Sequence, residues 1–155
     1  MDARINQIFC PQRLRLVTWQ ALERGIARFL AHLGFSDVSI VGGTGDGGAD
    51  IVAVLKGKRW VIQAKFRSQG SISMGPVKEV MSAYQSYAAD VALLITNRTF
   101  HDSVFLHRKS LKQNGYDIRL WDGDELLRRS ENLREDPWHN REPRDYQRQA
   151  IDLIH

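Results

Sequence analysis

The sequence predicts an α/β domain, a mixed β-sheet core flanked by helices. Three observations carry that expectation. A helical apolar stripe of Leu22, Ile26, Phe29, Leu30 and Leu33 precedes a group of short strand-like segments. Two of these, 50–55 and 59–66, are joined only by Lys56-Gly57-Lys58, so they form a hairpin and run antiparallel. The run Val91-Ala92-Leu93-Leu94-Ile95 is apolar without a break and sits between two helical stretches, the pattern of a central strand covered on both faces. A hairpin followed by helical crossovers requires antiparallel and parallel neighbours in one sheet.

The elements follow in order. Thr18 suits the N-cap of the first helix and Gly34 its C′ stop. Gln20, Arg24, Arg28 and His32 fall opposite the apolar stripe. Glu23 is the exception: three before Ile26 and seven before Leu30, it lies on the border of the apolar face. An acid aimed there needs a compensating partner such as a metal or a lysine, or else it reaches water as an ordinary helix-border residue. Residues 37–41 read as a short strand. The loop Gly42-Gly43-Thr44-Gly45-Asp46-Gly47-Gly48-Ala49-Asp50 then opens the hairpin. Residues 67–75 are polar and small and read as a mobile loop. Pro76 suits the first turn of a helix whose buried stripe is Val77, Val80, Met81, Tyr84 and Tyr87. A helix over 101–114 stopped by Gly115, a strand over 118–121 and a short helix over 125–129 complete the order α-β-β-β-α-β-α-β-α. This is one domain, residues 1–130. Residues 131–145 are charged, contain Pro137 and Pro143, and read as a linker. Residues 144–154 are helical in pattern and run to His155 without a terminator, so a further domain is expected to begin within 131–155.

The 155 residues suffice for a hydrophobic core. No apolar run approaches the ~20 residues of a membrane span, and no apolar stretch follows Met1-Asp2-Ala3-Arg4, so neither a membrane nor secretion is expected. Cys10, the single cysteine, cannot form an internal disulfide. That fits a reducing cytoplasm, and inert packing is its expected role. The net charge of +4 permits an anionic partner. Lys56, Lys58, Arg59, Lys65 and Arg67 decorate the hairpin and Lys78 follows, a distribution suited to attracting phosphate; Lys56 and Lys58 read equally well as a solvated turn.

The hairpin specifies a sharper arrangement. Residues two apart on a strand share a face. Gln63 and Lys65 therefore face one way, and apolar Trp60, Ile62, Ala64 and Phe66 the other. With a two-residue turn carrying Gly57 at its second central position, Leu55 pairs with Lys58 and Asp50 falls opposite Gln63, on the same face. A three-residue turn would shift the register by one and turn Asp50 away. Other chemistries fit less well. The glycine loop lacks the Gly-Lys-Ser/Thr ending of a phosphate loop and runs into a strand rather than a helix. The histidines show no zinc spacing, and no serine or cysteine triad assembles. Oxygen ligands remain: the Asp50 carboxylate, the Gln63 side-chain oxygen, a strand carbonyl, and Glu23 directly or through water. Mg²⁺ prefers such ligands. Asp46, four residues ahead of the strand, reads as a turn residue.

These residues resemble a family. Asp50, Gln63-Ala64-Lys65 and the helical Glu23 resemble the PD-(D/E)xK nuclease superfamily, and more closely its Mrr-type restriction endonuclease branch. The likeness spans about residues 18–129. It extends from Gly43-Thr44-Gly45-Asp46-Gly47-Gly48-Ala49-Asp50 and Val61-Ile62-Gln63-Ala64-Lys65 to Leu94-Ile95-Thr96-Asn97-Arg98-Thr99-Phe100 and Leu120-Trp121-Asp122-Gly123-Asp124-Glu125-Leu126. Gln63 stands where the superfamily name has an acid, which resembles the Gln-x-Lys variant of the Mrr branch. The resemblance implies a restriction-endonuclease-like fold and hydrolysis of DNA phosphodiesters with Mg²⁺, Mn²⁺ serving as a substitute, in a prokaryotic cytoplasm. Asp50, Gln63, Lys65 and Glu23 would be catalytic, and Asp50, Gln63, Ala64 and Glu23 would hold the metal. Lys56, Lys58, Arg59, Arg67 and Lys78 would contact DNA, and a homodimer would serve double-strand cleavage. The tail Arg144-Asp145-Tyr146-Gln147-Arg148-Gln149-Ala150-Ile151 resembles the opening of a superfamily 2 helicase motor, implying a larger restriction or phage-defence enzyme. Two rivals remain open at this stage: a non-catalytic DNA-binding or docking module of the same fold, and a structure-specific nuclease of junction or repair type.

Overall fold

The computed structural model describes residues 19–41, 48–67 and 69–132. In chain order the elements are α1 (Trp19–His32), β1 (Ser36–Ile40), β2 (Ile51–Leu55), β3 (Lys58–Lys65), α2 (Met74–Ser86), β4 (Val91–Thr96), α3 (Asp102–Gln113), β5 (Ile118–Trp121) and α4 (Gly123–Asn132). The order matches the sequence expectation. Thr18, most of the glycine loop (42–47), and the expected linker and helicase-like tail beyond residue 132 lie outside the described residues.

The turn between β2 and β3 sets the register on which the site depends. Lys56 and Gly57 both have positive φ, 51° and 79°, the two-residue geometry whose twist matches that of the flanking strands. Leu55 pairs with Lys58, and the ladder continues to Ile51 opposite Ile62. There the regular ladder ends: the Asp50 N–H donates to the Ile62 carbonyl, so Asp50 and Ile51 both lie across from Ile62 in a bulge, and Asp50 does not take the place opposite Gln63 that the two-residue turn predicts. The five strands lie in the order β1-β2-β3-β4-β5. β2 runs antiparallel to its neighbours β1 and β3, while β3, β4 and β5 are parallel. Asp37 adopts positive φ (51°), and the register of β1 shifts between Ser36 and Ser39. This bulge starts β1 one residue before the predicted 37–41 strand.

Strand alternation divides the core in two. Trp60, Ile62 and Ala64 of β3 pack with Leu22, Ile26, Phe29 and Leu30 of α1 on one face. Val61 packs with Val77, Val80 and Ala83 of α2 and Val104 of α3 on the other. The successive parallel strands β3, β4 and β5 step in one direction, so right-handed crossovers carry α2 and α3 to the same face, leaving α1 to cover the opposite one. β4 is buried along its whole length because it feeds both clusters: Leu93 and Ile95 to one, Ala92 and Leu94 to the other.

Three expectations are corrected. The helix predicted from Pro76 begins at Met74. Pro76 still falls in the first turn, where an N–H has no helical partner to lose. The helix predicted over 125–129 runs Gly123–Asn132, its start secured by the Asp122 carboxylate accepting the Glu125 N–H at 2.9 Å. The segment 67–75, read as mobile, is fastened to the chain about thirty residues downstream. Both amide ends of Asn97 bond the Arg67 peptide at 2.9 Å, and Arg98 donates to the Gly70 carbonyl. Buried Ile72 bridges Phe100 in parallel fashion. Gly123 backs this clamp: a Cβ there would lie 2.5 Å from the Asn97 carbonyl oxygen.

Candidate active site

The start of β2 and the end of β3 meet at one corner of the sheet. Asp50 is tied there three ways. Its N–H donates to the Ile62 carbonyl and its own carbonyl accepts from the Val41 N–H, both at 2.8 Å. Its carboxylate Oδ2 accepts the Ala64 N–H at 2.8 Å. The third bond replaces a ladder contact: the backbone ladder between β2 and β3 stops at this point, and the side chain occupies the donor left open on β3. Within a strand a residue's N–H and C=O leave toward the same edge, so the Ala64 carbonyl is directed to the edge where Asp50 sits.

Gln63 and Lys65 share the face predicted for them, the one covered by α2. Gln63 is 5% exposed. Its Nε2 donates to Glu79 Oε1 of α2 at 3.2 Å, while its Oε1 is buried with no hydrogen-bond partner. Lys65 Nζ lies 3.4 Å from the same Glu79 oxygen. Glu23, 9% exposed, lies close enough to Asp50 to influence its carboxyl. The helix-border acid thus faces the corner rather than water. Burial, the strongest influence, pushes the Asp50 carboxyl above its ordinary value. The Ala64 N–H, the Lys65 ammonium and the Glu23 side chain oppose that push, and the Glu79 charge adds to it.

Glu79 was missed by the sequence reading. It lies three residues after Pro76 and four before Ala83, both buried on α2, so the helix-border argument applied to Glu23 would have found it. Gly48 explains how the corner closes. Its φ is +90°, and a Cβ there would lie 2.1 Å from the Glu79 carbonyl oxygen. Only a glycine lets the loop leading to Asp50 rest on the α2 backbone at that residue.

The basic groups are not gathered in one place. Lys56, Lys58 and Arg59 sit at the turn end of the hairpin. Arg59 is six residues from Lys65 along β3, or ~20 Å at the usual strand rise. Its guanidinium donates to the Tyr87 carbonyl at 2.8 Å. Arg67 and exposed Lys78 lie nearer the Asp50 corner, one just past β3 and the other beside Glu79. A hairpin spreads its charges along its length, so closeness in sequence does not bring the two groups together.

The donors at the corner fit a divalent cation. Asp50 and the unpaired Gln63 Oε1 are hard oxygens, and the Ala64 carbonyl is a third. Among the described residues no three His, Cys, Asp or Glu side chains are grouped closely enough to hold an ion by themselves. An oxygen set here therefore counts an amide and a carbonyl among its members, and Mg²⁺ commonly completes such partial sets with water.

A mixed five-stranded sheet between helices, with this corner at the hairpin's open end, defines a restriction-endonuclease-like fold. The family model Mrr_cat, described as "Restriction endonuclease", matches residues 14–130, and the chain belongs to that family. It is a nuclease domain of restriction-endonuclease type. Two solved structures have similar folds. One, "DNA modification-dependent restriction endonuclease AspBHI", is 14% identical with a TM-score of 0.59, over 98% of this chain and 39% of that one. The other, a protein of unknown function called AF1548, is 16% identical with a TM-score of 0.54, over 72% of this chain and 66% of that one. The chain thus spans less than two thirds of either. No curated protein matches it. Among the described residues no helix is long and apolar enough to cross a membrane.

Proposed function

We propose that this chain carries a metal-dependent DNA endonuclease site, with Asp50, Gln63, Lys65 and Glu23 as its working residues. The carrying observation is the pairing of an unpartnered, buried Gln63 Oε1 with an Asp50 carboxylate whose ionised form burial disfavours. A cation would satisfy both. Asp50, Gln63 and the Ala64 carbonyl would hold Mg²⁺ or Mn²⁺, with Glu23 ligating directly or through water. The bound ion would lend Lewis acidity to the scissile phosphate and the attacking water. Lys65 Nζ orients or helps deprotonate that water, or balances charge developing on the phosphate oxygens. Glu23, beside Asp50, would hold the metal's water shell or a second ion.

DNA is the substrate this reading calls for. Arg67 and Lys78 contact the backbone near the scissile bond, and Lys56, Lys58 and Arg59 contact it farther along. Cutting both strands with one site per chain calls for two copies. Residues 1–130 form the nuclease domain, and the Arg144-Asp145-Tyr146-Gln147 pattern within 131–155 favours a following helicase-like motor in a prokaryotic restriction enzyme. Digests of linear duplex, single-stranded and branched DNA, each with Mg²⁺ and with EDTA, test the proposal. The duplex is supplied both unmodified and base-modified, since one structural relative is a modification-dependent enzyme. The expected result is Mg²⁺-dependent cutting of duplex. Salt-sensitive binding without cutting would favour the docking module, and cutting confined to branched DNA the structure-specific nuclease.

A further inference from the structure

Glu79 is the one charged group at the corner to which the nuclease reading gives no task, yet two independent features converge on it. Its Oε1 receives both the Gln63 amide, at 3.2 Å, and the Lys65 ammonium, at 3.4 Å. Its backbone carbonyl is the surface against which Gly48 rests, two residues ahead of Asp50. One helical residue thus touches both β3 and the loop that leads into β2.

We propose that Glu79 is the positioning residue that makes a glutamine at 63 serve as a metal ligand. An amide has a donor end and an acceptor end of nearly the same shape. Only the donor end can face a carboxylate, so Glu79 decides which way the Gln63 amide lies. The Gln63 oxygen is consequently the end left unpaired, and a buried hard oxygen without a partner is what a cation needs. The ion pair with Lys65 adds little to stability, because its side chains are 33% and 52% exposed. Its consequence is positional: the lysine is anchored beside the ligand it must work with.

The same contact accounts for the amide where the superfamily name has an acid. A carboxylate at 63 would meet the Glu79 carboxylate at about the present 3.2 Å, two like charges sharing one lysine. Positions 63 and 79 are therefore coupled: one takes the acid and the other the amide. The swapped pair, Gln63→Glu with Glu79→Gln, keeps one of each and still presents an unshared oxygen at 63.

The inference rests on the metal-site reading, and its test separates the two. Mn²⁺ is titrated by calorimetry into the metal-free protein, without DNA, for the wild type, Glu79→Gln, Gln63→Glu, the double variant and Asp50→Ala. The side-chain amide resonances of Gln63 are followed by NMR in the metal-free wild type and Glu79→Gln. Glu79→Gln should weaken Mn²⁺ binding roughly 10–100-fold, as loss of a ligand-orienting partner usually does, and should move the Gln63 amide resonances before any metal is added. Gln63→Glu should raise affinity by at least about tenfold more in the Glu79→Gln background than in the wild type, because only there does the new acid find a donor. Folding is monitored by thermal melting, and the NMR shift reports on the metal-free fold directly. Unchanged Gln63 resonances with Mn²⁺ binding within about twofold of wild type in Glu79→Gln would overturn the role of Glu79. An equal effect of Gln63→Glu in both backgrounds would do the same. If Asp50→Ala loses Mn²⁺ while Glu79→Gln keeps it, only this inference fails; if Asp50→Ala binds like wild type, the metal site itself fails.

Discussion

Replacing Gly48 with alanine probes the joint between the Asp50 loop and α2. The added Cβ would lie 2.1 Å from the Glu79 carbonyl oxygen and 2.6 Å from its carbon. Both atoms belong to helix backbone, so no side chain can swing aside. Positive φ, +90° here, costs a non-glycine residue about 1 kcal/mol. Forced separation of packed elements adds about 1–3 kcal/mol. The sum, about 2–4 kcal/mol, lowers the melting temperature of a domain this size by roughly 4–16 °C. Gly57→Ala is the matched control. Its φ is +79° and nothing lies within 4 Å of its Cβ position, so only the conformational cost of about 1 kcal/mol remains, worth roughly 2–4 °C. Thermal unfolding followed by circular dichroism compares the two. A displaced loop also carries Asp50 away from the groups held by Glu79. Cleavage measured well below the melting point should then fall at least about tenfold in Gly48→Ala, since displacements near 1 Å can cost ~100-fold, and stay near wild type in Gly57→Ala. Equal melting temperatures and equal activities in the two variants would refute the close-approach argument.

Three further outcomes follow from single residues. Asp50→Asn should abolish cleavage yet melt higher than the metal-free wild type at neutral pH. The Asp50 carboxyl is raised above 3.8, so its ionisation weakens the fold as pH climbs through the raised value; the advantage of asparagine should vanish below the unfolded value. Asp117 is the opposite case. Its hydrogen bonds to Arg119, at 2.8 and 3.1 Å, hold it below 3.8. The wild type should therefore exceed Asp117→Asn by about 0–1 kcal/mol near neutral pH, a margin lost as pH falls through the depressed value and measurable by urea titrations at several pH values. Asn97→Ala removes both bonds to the Arg67 peptide; it should cost about 1–3 kcal/mol and speed amide hydrogen exchange around residues 67–72.

The parts of this fold that could be read in advance are those set by local rules. Gly57 required a two-residue turn, and the turn fixed the pairing of Leu55 with Lys58 and the ladder up to Ile51 opposite Ile62; the shift at Asp50, whose N–H bonds the Ile62 carbonyl, could not be read from the turn. Period two then separated Gln63 and Lys65 from Trp60, Ile62 and Ala64. Helical period likewise exposed Glu23 as an acid on an apolar border, and the structure sets it against Asp50. What escaped reading depends on distant chain. The anchoring of residues 67–72 comes from Asn97, Arg98, Thr99 and Phe100, and nothing in a polar, small-residue stretch announces such partners. Glu79 was legible by periodicity, but the contact that gives it meaning needs Gly48 and β3 brought to α2. The spread of the basic residues was also hidden, because a hairpin holds its charges close in sequence and far apart in space.

Cleavage of duplex DNA by Asp50→Ala and Lys65→Ala, each shown by circular dichroism to be folded, tests the central claim most directly. With Mg²⁺ the wild type should cut, and neither variant should do so above the level seen with EDTA. Wild-type cutting rates in both variants would contradict the assignment of this corner as the catalytic site.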